Sequence, residues 1–390
     1  MGSVGFPTIL IKAMVKIMFL LHNNAVANYI NNYYTNNMDT HNDNIELLKH
    51  HINLVVKDIN DIIASNISSA EKSNLINTRM RDVKVYLEKT YIDQFLNGDI
   101  EKVTIDPSRC KLTESDCNNE PLYTNSFGPF YPEDYFEKDF KVLWILKEPY
   151  ITVDSWNSVE NPDRGRHDKA AEYKDYNVVK QEGKYNTYNT VVTTVKEIIN
   201  RKFKIEIDEQ EAMRHLCIIE LNHFSGLNFN SYESDDKLLK HWAIINHNLY
   251  STLINFYNPN LIVLNSGLMG SLIEFRNQNG EMTSSYIDHE IFNSLRKGTP
   301  IKQYNEEYCK ECTITIVGRE LTKTSEGHSE KCFPRDCQDE RNIASAVYDV
   351  NSCVWVGFKY HPMKGRCEKG EDYEHKWDGF ASAVVNFLNK

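Results

Sequence analysis

Three polar clusters stand directly behind apolar runs, and their side chains are of the kinds that steer charge and protons. Lys147–Glu148–Pro149–Tyr150 follows VLWIL, Asn222 follows LCIIEL, and His361–Pro362 follows CVWVGFKY. A carboxylate at a strand tip, partly desolvated by Trp144 and Tyr150, can stabilise positive charge or act as a general base. The same Glu148 turned to water would be a plain loop residue. Asn222 either ends its strand through a side-chain turn or offers an amide donor and acceptor to a ligand. His361 is either an ordinary loop imidazole before Pro362 or a hydrogen-bond donor to developing negative charge. Tyr150 could equally be a core residue.

These residues matter together only if the elements behind them bring them to one rim. Val142–Leu146 is a short apolar run with turn residues after it, which reads as a buried strand. Pro149 forces the chain off the sheet line. A long polar loop over 152–184 follows, of a length usually tied to function or mobility. Asn186–Phe203 has Tyr188, Val191, Val192, Val195, Ile198 and Ile199 on one helical face. Leu216–Gly226 reads as a second strand, Leu238–Tyr257 as a helix with Trp242, Ile245, Leu249, Leu253 and Phe256 inward, and Asn258–Gly267 as a third strand. A fourth strand opens Cys353–Arg366, and Trp377–Leu388 closes the chain as a helix. Strand and helix in alternation predict an α/β fold with a central, mainly parallel sheet of about four strands. In such sheets ligands bind beyond the carboxyl ends of the strands, where all three clusters fall.

The rest of the chain is read as additions to this core. Residues 1–105 form an N-terminal helical extension, with amphipathic helices over 44–65 and 71–96. Residues 106–390 form the α/β domain, interrupted by an insert at about 275–350. The apolar stretch Ile9–Leu21 is broken by Lys12 and Lys16 and is too short to span a bilayer. With no secretory pattern either, an intracellular protein, cytoplasmic or nuclear, is expected.

The chain has 390 residues, 41% hydrophobic and 25% charged, so most of it should bury a core. A formal net charge of −11 argues against non-specific coating of nucleic acid and leaves room for a local basic groove. Nine cysteines in an intracellular chain read as thiols or metal ligands rather than disulfides. Cys309-x-x-Cys312 with Cys332 and Cys337 has a spacing compatible with a tetrahedral structural zinc, His328 being a substitute ligand; unligated thiols are the alternative. Four protein ligands leave no open position, so such a zinc would be structural; no cofactor for catalysis is expected.

The order KEPY, then IIELN, then LIVLNSG, then YHPMKGR resembles the uracil-DNA glycosylase superfamily over roughly residues 140–274 and 353–390. The resemblance implies a three-layer α/β/α sandwich and hydrolysis of the bond between a flipped base and deoxyribose in DNA, as in base-excision repair. It assigns Glu148 to the oxocarbenium-like sugar or its attacking water, and His361 to the oxyanion forming on the departing base. Asn222 would read the base edge, with Tyr150 against its C5 side, Lys147 nearby and Trp156 as a stacking platform. Pro362, Met363, Lys364 and Arg366 would enter the DNA, Met363 or Arg366 as the wedge that fills the gap left by the flipped nucleotide. The sequence departs from the family at Leu146, where a small residue is usual, and at Met363, where a serine hydroxyl commonly meets phosphate. Lys364 and Arg366 would supply that contact as charge. DNA is the implied partner and a monomer the expected state. The alternative is a glycosylase-like module that binds DNA or a nucleotide without cutting.

Overall fold

A computed structural model of the chain describes residues 42–80, 128–146, 176–177, 187–220, 246–265, 269–276, 282–284, 313–328, 344–358 and 371–390. The chain divides into two compact units, residues 1–47 and 48–390. Of the first, only the opening turns of helix α1 (Asn42–Ala64) are described. The expected boundary near residue 105 lies outside the described residues.

The second unit is an α/β fold on one sheet. Its strands are β1 (Val142–Leu146), β2 (Leu216–Glu220), β3 (Leu261–Asn265), β4 (Ile273–Arg276), β5 (Met282–Ser284), β6 (Thr313–Ile316), β7 (Arg319–His328), β8 (Ala344–Asp349) and β9 (Val354–Phe358). Their spatial order is β2-β1-β3-β9-β8-β7-β6-β4-β5. The four strands read from the sequence pair in parallel: β2 with β1, β1 with β3, and β3 with β9. From β9 onward every pairing is antiparallel. The sheet is therefore mixed and nine-stranded among the described residues, larger than the expected four. The extra strands come from 273–349, where short β-branched runs such as Thr313–Ile316 continue the ladder outward from β9.

Burial explains the composition of the parallel strands. β1, β2 and β9 are buried at every position, so both faces demand apolar side chains and no alternation is visible. On one face Val142, Trp144, Leu216, Ile218, Leu261, Val263, Val356 and Phe358 pack against α3 (Thr187–Phe203), α4 (Glu209–Arg214) and α6 (Glu371–Leu388). α3 buries Val191, Val192, Val195, Ile198 and Ile199, as its periodicity marked, together with Thr190 and Thr194, while Tyr188 is partly buried. Trp144, Phe358, Trp377 and Phe380 meet there as an aromatic cluster, with centroids 4.5–6.3 Å apart.

The other face carries α5 (His247–Tyr257), which buries Leu249, Tyr250, Leu253, Ile254 and Tyr257. Phe256, expected inward, is only partly buried, and Tyr257 takes the inner position. The antiparallel strands close over the outside of α5. Arg319 at the start of β7 donates to the carbonyl of Ile254 and to Asn255, and Gly318 faces Ser251. The N-terminal helices reach the same helix: Asn53 accepts from Asn248, and a helical segment at 69–80 brings Ser73 to the Tyr257 hydroxyl.

Local chemistry sets the ends. The Asp208 side chain accepts from the Glu211 N–H and caps α4. Val317 and Gly318 both have positive φ, the geometry of a two-residue hairpin turn between β6 and β7. The free edge of β2 is covered by Gly128–Phe130, just ahead of the short helix α2 (Pro132–Glu137), through Phe130 N–H to the Leu216 carbonyl and Ile218 N–H to the Gly128 carbonyl.

Lys204, directly after α3, sits at φ 55° and is exposed. A left-handed backbone strains a residue with a Cβ by about 1–2 kcal/mol, and glycine recovers most of that less its own larger chain entropy. Lys204→Gly is accordingly expected to stabilise the fold by about 0.5–1 kcal/mol, seen as a higher thermal midpoint. A lower midpoint would contradict it.

His215, between α4 and β2, donates from Nδ1 to the Phe140 carbonyl at 2.7 Å. Its pKa is lowered: burial dominates and Lys138 adds to it, outweighing the Phe140 carbonyl and Glu211, which raise it. An imidazole harder to protonate in the folded chain than in the unfolded one contributes stability above about pH 6.5. That contribution is lost as the pH falls through the folded value. His215→Gln should flatten the loss of stability between about pH 7 and pH 5, as read from urea unfolding at each pH. Parallel curves for the two proteins would show that another group governs the transition.

Candidate functional site

The parallel register fixes one row of strand ends. Leu146 of β1 pairs with Glu220 of β2, and Asn265 of β3 pairs with Phe358 of β9. Trp144 pairs with Val263, so the row continues from β1 into β3. All four strands thus finish together on one edge, the edge at which α/β sheets hold ligands. The sequence sets Glu148 two residues beyond Leu146, Asn222 two beyond Glu220, and His361 three beyond Phe358.

The predicted residues themselves, Lys147, Glu148, Tyr150, Trp156, Asn222, His361, Pro362, Met363, Lys364 and Arg366, lie outside the described residues. So do Cys309, Cys312, Cys332 and Cys337. His328 ends β7, paired with Ala344 of β8. Among the described residues no group of three or more His, Cys, Asp or Glu side chains could hold a metal. The described cysteines, Cys217 and Cys353, are buried free thiols whose pKa burial pushes well up, which suits core packing rather than reactivity.

What is described at this edge is a buried polar layer that sequence reasoning did not single out. Glu220 closes β2 with a relative exposure of 1%. Asn246 and Tyr250 occupy the start of α5, both buried, with Asn246 Nδ2 donating to the Tyr250 hydroxyl at 3.3 Å. The Tyr250 phenol is pushed strongly upward, first by burial and further by the Glu220 charge, against the Asn246 hydrogen bond. Next to it His247 Nε2 lies 2.8 Å from Glu274 Oε1 of β4, and Thr315 of β6 donates to the other Glu274 oxygen at 3.4 Å. The first turn of α5 therefore has the Glu274 carboxylate of β4 beside His247, and the Glu220 charge of β2 acts on Tyr250. A helix N-terminus favours negative charge, which lowers the penalty of burying a carboxylate there. The one signal available for Glu220 was a charged residue closing an otherwise apolar run, LCIIE.

The loop after β1 is described only at Tyr176 and Asn177. Tyr176 ties it to the helical layer: its N–H donates to Gln210 of α4 and its hydroxyl to Asn189 of α3. Burial, with Glu209 nearby, pushes its phenol up to about 12, so it stays a donor at any physiological pH.

Among the described residues no helix is long and apolar enough to cross a membrane. No family model, curated protein or solved structure matches this chain.

Proposed function

We propose that the chain is a DNA glycosylase of the uracil-DNA glycosylase kind, built as a three-layer α/β/α sandwich extended by antiparallel strands. It hydrolyses the N-glycosidic bond of a flipped uracil or of a modified or damaged base. The observation that carries the reading is the row of strand ends at Leu146, Glu220, Asn265 and Phe358. Neighbouring strands lie about 4.8 Å apart, so the ends of β1 and β9 are about 10 Å apart. Two residues of chain reach at most about 7 Å and three about 11 Å. Those reaches allow a carboxylate, an amide and an imidazole to converge on one nucleotide. That trio fits the charge pattern of the reaction: positive on the sugar, negative on the leaving base, and a polar base edge to be read.

In this reading Glu148 faces the sugar, His361 donates to the base oxyanion and Asn222 selects the base. Tyr150, Lys147 and Trp156 shape its slot. Pro362, Met363, Lys364 and Arg366 hold and part the duplex, their two positive charges acting locally on a chain of net charge −11. Cys309, Cys312, Cys332 and Cys337 would at most staple their segment through zinc. The test is incubation with oligonucleotides carrying uracil, hypoxanthine or modified pyrimidines, followed by alkali. Strand breaks at the altered base support the enzyme. Salt-sensitive binding without breaks supports a DNA-binding module instead. Cleavage of free nucleosides alone would point to a small-substrate hydrolase.

A further inference from the structure

We infer that residues 202–208, at the junction of α3 and α4, are a self-complementary surface through which two copies of this chain associate weakly about a two-fold axis at Ile205. The inference is independent of the glycosylase reading above. Four large apolar side chains are exposed among the described residues, and two of them, Phe203 at 44% and Ile205 at 50%, stand two positions apart. Lys204 between them is exposed too, and it holds a left-handed backbone at φ 55°, where a helix end ordinarily takes glycine. A strained position that keeps a long charged side chain points to a use for that side chain.

The order of residue types says what covers the patch. The segment reads KFKIEID. Outward from Ile205, Lys204 mirrors Glu206, Phe203 mirrors Ile207 and Lys202 mirrors Asp208. Cations stand on one side of the centre, acids on the other, and apolar residues in matching places on both. In a two-fold contact, residue i of one copy meets residue j of the other, and j meets i. Two copies laid antiparallel about Ile205 therefore set Ile205 on Ile205, Phe203 on Ile207 and each lysine against an acid. The segment is already held in shape, which reduces the ordering lost on association. Phe203 packs on Phe140 with ring centroids 5.4 Å apart, and Lys202 Nζ lies 5.5 Å from the Phe203 ring. Ile207 N–H donates to Asn200 Oδ1, and Asp208 caps α4. Phe140 stands two residues before β1, so the contact lies at the amino ends of the parallel strands, away from the candidate ligand edge. A patch this short covers far less than the roughly 800 Å² per partner of a stable interface, so the dissociation constant should be on the order of 10–100 μM. The expected monomer is then the dilute form.

The test is sedimentation of the full chain over about 1–300 μM, a range that brackets the expected constant. The weight-average mass should climb from 45.4 kDa toward twice that value. Lys204→Glu sets an acid against Glu206, and Glu206→Lys sets a lysine against Lys204, each twice per dimer by symmetry. Either exchange alone is expected to raise the dissociation constant by about tenfold or more. The double variant, with the two charges exchanged, should return to within about threefold of wild type. An equimolar mixture of the two single variants should associate as well as wild type, because each supplies the charge that the other lacks. Both positions are exposed, so the folded chain tolerates the exchanges, and recovery in the double variant or the mixture separates lost pairing from damage to the fold. A monomer at every concentration, self-association indifferent to both single exchanges, or a loss that neither the double variant nor the mixture restores would overturn the inference.

Discussion

Glu148→Ala and His361→Ala should each lower base excision by about 10²–10³-fold in kcat while leaving oligonucleotide binding within a few-fold of wild type. In the proposed reaction the two residues act on opposite charges of one transition state. Without Glu148 the sugar cation loses its counter-charge and the attacking water its orientation; without His361 the departing base carries its negative charge unassisted. Neither side chain would neutralise phosphate, so the affinity for DNA that the proposal assigns to Lys364 and Arg366 should stay. Alkali-sensitive breaks timed under single-turnover conditions separate the chemical step from product release. Full activity in either variant would remove that residue from the chemistry. Loss of binding in both would mean that the substitutions disturb the rim as a whole.

The second large effect concerns the opposite edge of the sheet. Asp349, at the end of β8, is buried and accepts four hydrogen bonds. Its Oδ1 takes the N–H groups of Asn351 and Cys353, and its Oδ2 takes Trp355 Nε1 at 3.0 Å and Arg319 Nη1 at 3.1 Å. The same Arg319 also holds Asn255 and the Ile254 carbonyl of α5. One carboxylate thus closes the β8–β9 turn, anchors the largest fully buried side chain and joins the antiparallel strands to α5. Asp349→Ala leaves the Arg319 charge buried without its partner, with side-chain exposure of only 5% around it. The expected loss is about 3–5 kcal/mol, a large share of the 5–15 kcal/mol typical of a domain. Replacing Arg319 by Met in the same chain should restore part of it, since no charge is then stranded. Urea unfolding followed by Trp fluorescence measures both. A loss below about 1 kcal/mol would show that water reaches Arg319 in the variant and that the network is not a keystone.

Much of the scaffold could be read along the chain because burial on two faces leaves a mark. VLWIL, LCIIE, LIVLN and VWVGF are apolar at nearly every position, as parallel strands must be, and the buried valines and isoleucines of α3 recur at helical spacing. The strands of 273–349 were not legible. They are short and half polar, and their partners are chosen by what lies next to β9 and around α5. Residue types and order suggested the clusters at 147–150, 222 and 361–362, whereas the buried polar layer at the described strand ends was silent. Glu220, Asn246, His247 and Glu274 are ordinary polar residues one at a time, scattered over 55 positions, and they meet only because β2, α5 and β4 pack together.

The amino-acid sequence by itself determined the α/β class, the four apolar strands and the identity of the groups that stand just past their ends, because each is a local property of side chain and spacing. The tertiary structure alone decided that those strands end in one row, that the sheet runs on antiparallel to nine strands among the described residues, and that Glu220 and Glu274 are buried. Pairing partners and burial are relations between distant segments. No short window of residues carries them, since they arise only when the whole sheet has chosen its order.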